Sequence, residues 1–360
     1  MKKIVHIIEA TATGTLSVAL MAVNEQCKYN KVYVIYSIRD DTPKDIIDMF
    51  DNRIEFFQLG LGKSYFPMSI FNLRNILNTI VPDIIHCHSS FAGFIGRFAS
   101  LGLKSRMFYS PHCISFMRED IGYIKRFIFR NLEKFANIKS SVYIACSLSE
   151  KKAIEYALPS VHVVLLENAI PDLGSENIDD DDLKTVDIDE HVFTVVTVGG
   201  IRTQKGFQEF CAISNSFHDT NIRFLWIGDG DFKARRLLEE AGVEVSGWKS
   251  KQEVLAILHS SDLYLSTSLW EGMPVSVIEA CSIGVPLALR ACPGNVDIIE
   301  KTEDGFLFLD TDEAIDFIRV VSKKPLKYKK IAMDNRNRMI DRFSISRFNK
   351  QLESIYNINK

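Results

Sequence analysis

Residues 269–286 read L-W-E-G-M-P-V-S-V-I-E-A-C-S-I-G-V-P, and their punctuation decides the fold class. The run before them, Ser261 to Thr267 (S-D-L-Y-L-S-T), is short and largely apolar and predicts a buried strand. Glu271-Gly272-Met273-Pro274 is turn chemistry. From Val275 the apolar positions Val277, Ile278, Cys281 and Ile283 suit a helix. Pro274 is tolerated at the start of that helix and Gly284 is placed to end it, after which Val285 to Leu289 begins another strand. Glu271 therefore falls on a strand-to-helix loop, where parallel sheets bind ligands, and Glu279 lies in the helix eight residues on. Isolated glutamates are ordinarily solvated surface acids. The company these two keep argues for more.

The same alternation extends both ways. In the first half, strands are expected at Lys3–Ile8, Lys31–Ser37, Arg53–Leu59, Asp83–His86, Met107–Ser110 and Val142–Cys146. Helices are expected at Leu16–Asn24, near Pro43–Phe50, at Phe71–Ile80, Phe91–Ala99, about 119–137 and Ser149–Tyr156. Composition then shifts at Pro171, where an acidic, apolar-poor stretch to His191 reads as a linker. Beyond it strands are expected at Phe193–Val198, Ile222–Ile227, Val243–Ser246, Leu263–Ser266 and Pro286–Leu289. This pattern predicts an α/β protein with two doubly wound, parallel-sheet domains facing a cleft. The expected domains are 1–170 and 191–327, joined by a linker over 171–190. A helical segment over 328–360 is expected to cross back to the first domain.

Composition bounds the function. A chain of 360 residues leaves room for two domains, and 46% apolar with 25% charged residues is ordinary for a soluble protein. A net charge of -3 supplies no overall basic footprint, which argues against a nucleic-acid partner. Seven scattered cysteines without a C-x-x-C pair suit reduced thiols in the cytoplasm, not a disulfide framework or zinc site. The opening M-K-K-I-V-H-I-I-E-A is interrupted by His6 and Glu9 too soon for a signal segment, and no apolar run of membrane-spanning length follows. Peripheral contact with a membrane stays open. Tyr123 to Phe135 interleaves aromatics with Lys125, Arg126, Arg130 and Lys134, which first reads as a buried helix with snorkelling cations. The alternative is an interfacial helix seated on anionic lipid.

The strand-end loops of the second half suit a phosphorylated ligand. G-G-I-R-T-Q-K-G (199–206) combines glycines, Arg202 and Lys205 with a following helix start, where backbone N–H groups favour anions. Alone, it reads as an ordinary strand-to-helix turn. G-D-G-D (228–231) is a tight turn whose Gly228 and Gly230 let backbone approach closely. Neither has Walker A spacing, and the absence of G-x-G-x-x-G after the first strand argues against a dinucleotide-binding dehydrogenase. His86 and His88 share a strand face at i, i+2. Without further ligands, packing is favoured over metal binding.

The box E-G-M-P-V-S-V-I-E-A-C-S-I-G-V-P resembles the E-x7-E signature of retaining glycosyltransferases of the GT4 type, with the GT-B fold. V-G-G-I-R-T-Q-K-G-F, W-I-G-D-G-D and V-S-G-W occur in the family's order, as do the first-half landmarks H-C-H-S-S-F-A-G, S-P-H, A-C-S and L-E-N-A-I. The resemblance implies a nucleotide-sugar donor held mainly by the second domain and a saccharide acceptor held mainly by the first, with no metal or other cofactor. It implies that Glu279 binds ribose hydroxyls and that Glu271 lies beside the transferred hexose, with Gly272, Met273, Pro274 and Val275 offering loop N–H groups. Lys205 matches the diphosphate lysine and His112 the histidine near the reacting sugar. Gly14 matches the glycine region of the first loop, where the family's Gly-Gly pair is here Thr13-Gly14. Gly200 stands where the family has an arginine, and Arg202 is the candidate substitute. An acceptor carried on lipid would suit bacterial surface-polysaccharide assembly at the cytoplasmic face of the inner membrane. The rival readings are a nucleotide-sugar epimerase of the same architecture and a silent scaffold that kept the fold.

Overall fold

Two parallel sheets organise the described residues, 1–62, 66–171 and 192–358, of the computed structural model. The chain divides into two compact units, residues 1–169 with 345–360, and residues 170–344. Most of the acidic stretch read as a linker lies outside the described residues.

In the first unit the strands are β1 (Lys3–Ile8), β2 (Lys31–Tyr36), β3 (Glu55–Gln58), β4 (Ile84–His88), β5 (Arg106–Ser110), β6 (Val142–Ala145) and β7 (His162–Leu165). All pair in parallel in the order β3-β2-β1-β4-β5-β6-β7. The helices are α1 (Thr13–Gln26), α2 (Met68–Ile80), α3 (Ser90–Ala99), α4 (Tyr123–Ala136) and α5 (Leu148–Ala157). Strand order reverses between β1 and β4, which makes that gap the ligand-binding switch point of a doubly wound sheet. Val5, Ile7, Ile85, Cys87 and Tyr109 point to one face and pack with Leu73, Leu77 and Ile95. Each such buried aliphatic side chain contributes roughly 1.5–3 kcal/mol. The opposite face carries His6, His86 and His88, fully buried, because β1 and β4 pair with His6 beside His86.

In the second unit the strands are β8 (Phe193–Val198), β9 (Ile222–Ile227), β10 (Glu244–Val245), β11 (Leu263–Ser266), β12 (Leu287–Arg290) and β13 (Phe306–Phe308). Their order is β10-β9-β8-β11-β12-β13, again parallel, so the switch point lies between β8 and β11. The helices are α6 (Phe207–Asn215), α7 (Phe232–Glu240), α8 (Lys251–His259), α9 (Val275–Ile283), α10 (Thr311–Ser322) and α11 (Pro325–Arg342). Helix α9 runs as its sequence predicts, with Pro274 at the N-cap and Gly284 as a left-handed C-cap at φ 83°. Phe210, Phe224 and Trp226 stack edge-on in the core beneath. The last helix, α12 (Ile345–Asn357), belongs to the first unit and packs against α1.

Three expectations change. Pro43–Phe50 is a chain of tight turns, with Ile46 and Asp48 donating to the carbonyls of Pro43 and Asp45, and not a helix. A segment this short is marginal as a helix, although Ile46 and Phe50 are both buried. Helix α1 starts at Thr13, so Gly14 sits in its first turn and not in a preceding loop. Helix α4 is no buried helix: only Glu133 and Ala136 are buried, while Tyr123, Ile124, Phe127, Ile128, Leu132 and Phe135 are exposed. It is anchored from beneath by Glu133, whose carboxylate pairs with buried Arg97 at 2.7 Å and accepts from the hydroxyls of Tyr109 and Tyr143.

Candidate active site

The loops leaving β8 and β11 flank the switch point of the second sheet and bring two of the sequence-predicted residues into contact. Lys205 closes a short 3-10 turn (Thr203–Lys205), and its Nζ lies 2.7 Å from Oε1 of Glu271. Glu271 is buried, and its carboxylate also accepts from Ser268 Oγ at 2.8 Å and Gln204 Nε2 at 3.3 Å. Its own N–H donates to the Pro293 carbonyl after β12, so three strand-end loops converge on it. Gly206 makes the approach possible. At φ 63° it lies in the left-handed region, and a Cβ there would stand 1.9 Å from the Thr267 carbonyl oxygen.

Gly228 and Gly230 serve backbone packing. A Cβ at Gly228 would meet the Gly199 carbonyl oxygen at 2.2 Å, and one at Gly230 the Ile201 carbonyl oxygen at 2.4 Å. Those close approaches let Ile201 and Gly230 bridge as adjacent strands do. Gly200 differs: the nearest atoms to a Cβ are the Trp248 ring at 3.5 Å and the Asp229 carbonyl at 3.7 Å, ordinary contact distances. The site therefore has room for a side chain where this sequence has none. Arg202 is exposed on the same loop.

Gly272, Met273, Pro274 and Val275 are all buried and lead into the amino terminus of α9, whose dipole and first-turn N–H groups favour an anion. Glu279, one turn further into α9, is buried and pairs with the ammonium of Lys251 at the start of α8. Burial raises the Glu279 carboxyl above the ordinary glutamate range, and Lys251 offsets part of that. Lys251 is half exposed, so a ligand hydroxyl can compete with a partly solvated cation for the carboxylate. The sequence reading did not include Lys251. It lies 28 residues before Glu279 and carries no motif of its own.

In the first unit, His112 follows β5 in a strained turn, with φ 54° at His112 and 86° at Cys113. Glu150 holds that turn. Its Oε1 accepts from the backbone N–H groups of Cys113 and Ile114 at 2.8 Å each, and its Oε2 accepts from Cys146 N–H at 2.8 Å. Burial raises the Glu150 carboxyl, with the three backbone donors pulling the other way. Glu150 went unnoticed in the sequence, although S-L-S-E (147–150) is capping-box spacing, and Ser147 does accept from Glu150 N–H. Gly14 belongs to this unit, whereas Lys205, Glu271 and Glu279 belong to the other.

The histidine pair is a larger cluster than its spacing indicates. Nitrogens of His6, His86 and His88 all fall within 4.8 Å of one another, so a third imidazole accompanies the expected two. Every ring nitrogen of the three is hydrogen-bonded. His6 Nδ1 meets His88 Nε2 at 2.9 Å, and His6 Nε2 meets Gln26 Oε1 at 2.8 Å. His88 Nδ1 meets His112 Nε2 at 3.1 Å. His86 bonds the Tyr356 hydroxyl at 2.7 Å and Ser110 Oγ at 2.8 Å. Burial lowers all four imidazoles: His6 and His112 to about 4, His86 and His88 well below their ordinary value. They are neutral at pH 7.

Comparison with known proteins accords with this geometry. The family model described as "Glycosyltransferase Family 4" matches residues 24–172, and that described as "Glycosyl transferases group 1" matches residues 192–323. The chain is 26% identical over 315 residues to the UDP-Gal:alpha-D-GlcNAc-diphosphoundecaprenol alpha-1,3-galactosyltransferase of Escherichia coli, covering 80% of this chain and 78% of the relative. Its fold matches sucrose-phosphate synthase from Thermosynechococcus elongatus at TM-score 0.82 and 16% identity, over 99% of this chain and 98% of that one. It matches Anabaena HepE in complex with UDP and glucose at TM-score 0.79 and 16% identity, over 99% and 100%. The two switch points, the Lys205–Glu271 contact and these matches together lead to one conclusion: the chain belongs to the family 4, group 1 glycosyltransferases, enzymes of the GT-B fold that transfer a sugar from a nucleotide-sugar donor.

Proposed function

We propose that this enzyme is a retaining transferase that moves a hexose from a UDP-sugar to a saccharide carried on a polyprenyl diphosphate, in the assembly of a bacterial surface polysaccharide. The observation that carries the donor side is the Lys205–Glu271 pair at the switch point between β8 and β11. Lys205, Arg202 and the amino terminus of α9 neutralise the diphosphate, so that the leaving group departs against fixed positive charge. Glu279 accepts from the ribose hydroxyls, because a carboxylate can take two O–H bonds at once. Glu271 and the Gly272–Val275 backbone orient the hexose. His112 stands on the sugar side of the reaction and the acceptor approaches the first unit, where Gly14 lies in the first turn of α1.

The choice of UDP and of a lipid-diphosphate acceptor is supported by the name of the Escherichia coli relative. A peripheral seat on the membrane is supported by α4, whose exposed apolar residues alternate with exposed Lys125 and Lys134. Among the described residues no helix is long and apolar enough to cross a membrane. With Lys205, Arg202 and the helix dipole as the electrostatic element, the reaction needs no metal.

A panel of UDP-, GDP- and ADP-hexoses tested by thermal shift identifies the donor, since a ligand that binds only the folded state raises its stability. Galactose transfer from UDP-galactose to GlcNAc-diphosphate-polyprenol, with and without EDTA, then tests the reaction. Transfer with retained anomeric configuration and no loss in EDTA supports the proposal. Binding of a different nucleotide alone, an inverted product, or activity restored only by a divalent cation contradicts it.

A further inference from the structure

Four side chains behind β1, β4 and β5 form a continuous line: Gln26, His6, His88 and His112. They come from the end of α1, the middle of β1, the end of β4 and the turn after β5, so only the folded sheet aligns them. The successive imidazoles are close to parallel, with interplanar angles of 19° and 13°, and meet nitrogen to nitrogen. A neutral imidazole has one donor and one acceptor nitrogen, so in such a line one end dictates every tautomer.

The Gln26 end sets the direction. Its Oε1 can only accept, so His6 Nε2 carries the proton and His6 Nδ1 is bare. Then His88 Nε2–H donates to His6 Nδ1, and His112 Nε2–H donates to His88 Nδ1. His86 stands beside this line, with Nδ1 bonded to the Tyr356 hydroxyl and Nε2 to Ser110 Oγ, and since either hydroxyl can donate or accept it opposes neither direction. The Gln26 oxygen therefore orients the line from His6 through His88 to His112. His112 is left with Nδ1 as a hydrogen-bond acceptor.

We propose that Gln26, His6 and His88 are positioning residues that lock His112 as the Nε2–H tautomer, so that Nδ1 can take a hydrogen bond from a sugar hydroxyl and cannot give one. This rests on the assignment of His112 to the sugar side of the reaction. The turn supplies the matching constraint, because Glu150 fixes the backbone of residues 113 and 114 while His88 fixes the ring. An α1 residue of no evident chemistry thereby reaches the transferred sugar through two buried rings.

The test is long-range 15N–1H correlation of the histidine rings in the full chain, with signals assigned by single histidine variants. The proposal expects His6, His88 and His112 all as neutral Nε2–H tautomers. Gln26→Leu should introduce Nδ1–H character at His112 and lower kcat for UDP-galactose about tenfold, the scale on which partners that fix a histidine tautomer act, with donor KM unchanged. Gln26→Glu keeps the accepting oxygen and should restore both. Nδ1–H at His112 in the wild type, an unmoved His112 signal in Gln26→Leu, or ring protons displaced by a stoichiometric metal overturns the relay. If the wild-type tautomers are as stated but His112→Ala transfers at the wild-type rate, the sugar-side assignment of His112 fails and the positioning role with it, although the hydrogen-bond line itself stands.

Discussion

The ammonium of Lys205 and the carboxylate of Glu271 stand 2.7 Å apart, although 66 residues separate them, because β8 and β11 are neighbours at the point where the second sheet reverses its order. Glu271 is buried, but Ser268 and Gln204 still bond it when Lys205 is removed. Lys205→Ala should therefore cost about 1–3 kcal/mol, less than the ~3–5 kcal/mol of a fully buried pair. Glu271→Gln retains one accepting oxygen, enough for Lys205 and Ser268, gives up the bond from Gln204, and should unfold within a few degrees of the wild type while transfer falls about a hundredfold. Denaturant melts together with a transfer assay check both. A variant pair that loses stability and activity in proportion would mean the contact is structural only.

Glu279 predicts a pH dependence. Its folded carboxyl is raised by burial, so the folded state holds the proton more tightly than the unfolded chain does. Between the unfolded and folded values the native state binds more protons, and this group's contribution to stability falls as pH rises through that window. Donor binding runs the other way, since only the carboxylate accepts two ribose O–H bonds. Donor affinity should weaken on acidification at a pH above that of an ordinary glutamate, and Glu279→Gln should flatten the profile. Titration calorimetry across pH 4–8 decides, and a profile unchanged by Glu279→Gln would remove the ribose contact from the account.

Glu150 is the single acceptor for three backbone N–H groups, two of them in the His112 turn. Glu150→Ala leaves the Ile114 and Cys146 donors buried without this acceptor and should destabilise the protein by about 2 kcal/mol or more, given ~1–3 kcal/mol for each unsatisfied group. Glu150→Gln retains one accepting oxygen and should cost less. Thermal melts give the order, and equal losses in the two variants would show that the carboxylate geometry is immaterial.

Helix α4 exposes Phe127 and Phe135 beside Lys125 and Lys134. Replacing both phenylalanines with glutamate should abolish sedimentation with phosphatidylglycerol vesicles, while Lys125→Glu with Lys134→Glu should weaken it in a salt-dependent way. Wild-type protein that ignores anionic vesicles would contradict the membrane seat.

Much of the sheet scaffold was legible because parallel strands buried on both faces read as apolar runs. Lys3–Ile8, Phe193–Val198, Ile222–Ile227 and Leu263–Ser266 match strand bounds residue for residue. The edge strands β7 and β13 were not. His162 and Leu165 of β7 are exposed and β13 spans three residues, too little burial to leave a pattern. The polarity of α4 misled, since aromatics interleaved with cations fit a buried helix and an interfacial one alike. At the site, the loops carrying Lys205 and Glu271 were legible from glycines and turn residues, but the contact between them depends on strand order. His6 joined His86 and His88 through the β1–β4 register, and Lys251 reached Glu279 through the packing of α8 on α9. Such long-range partners leave no spacing to read.

The most direct measurement is calorimetric binding of the UDP-, GDP- or ADP-hexose that gives the largest thermal shift, compared among wild type, Lys205→Ala and Glu279→Ala. Loss of one charge-assisted contact is worth about 1.5–3 kcal/mol, so each variant should bind roughly 10- to 100-fold more weakly while keeping the wild-type fold by circular dichroism. Wild-type affinity in both variants would contradict a donor site built on Lys205 and Glu279.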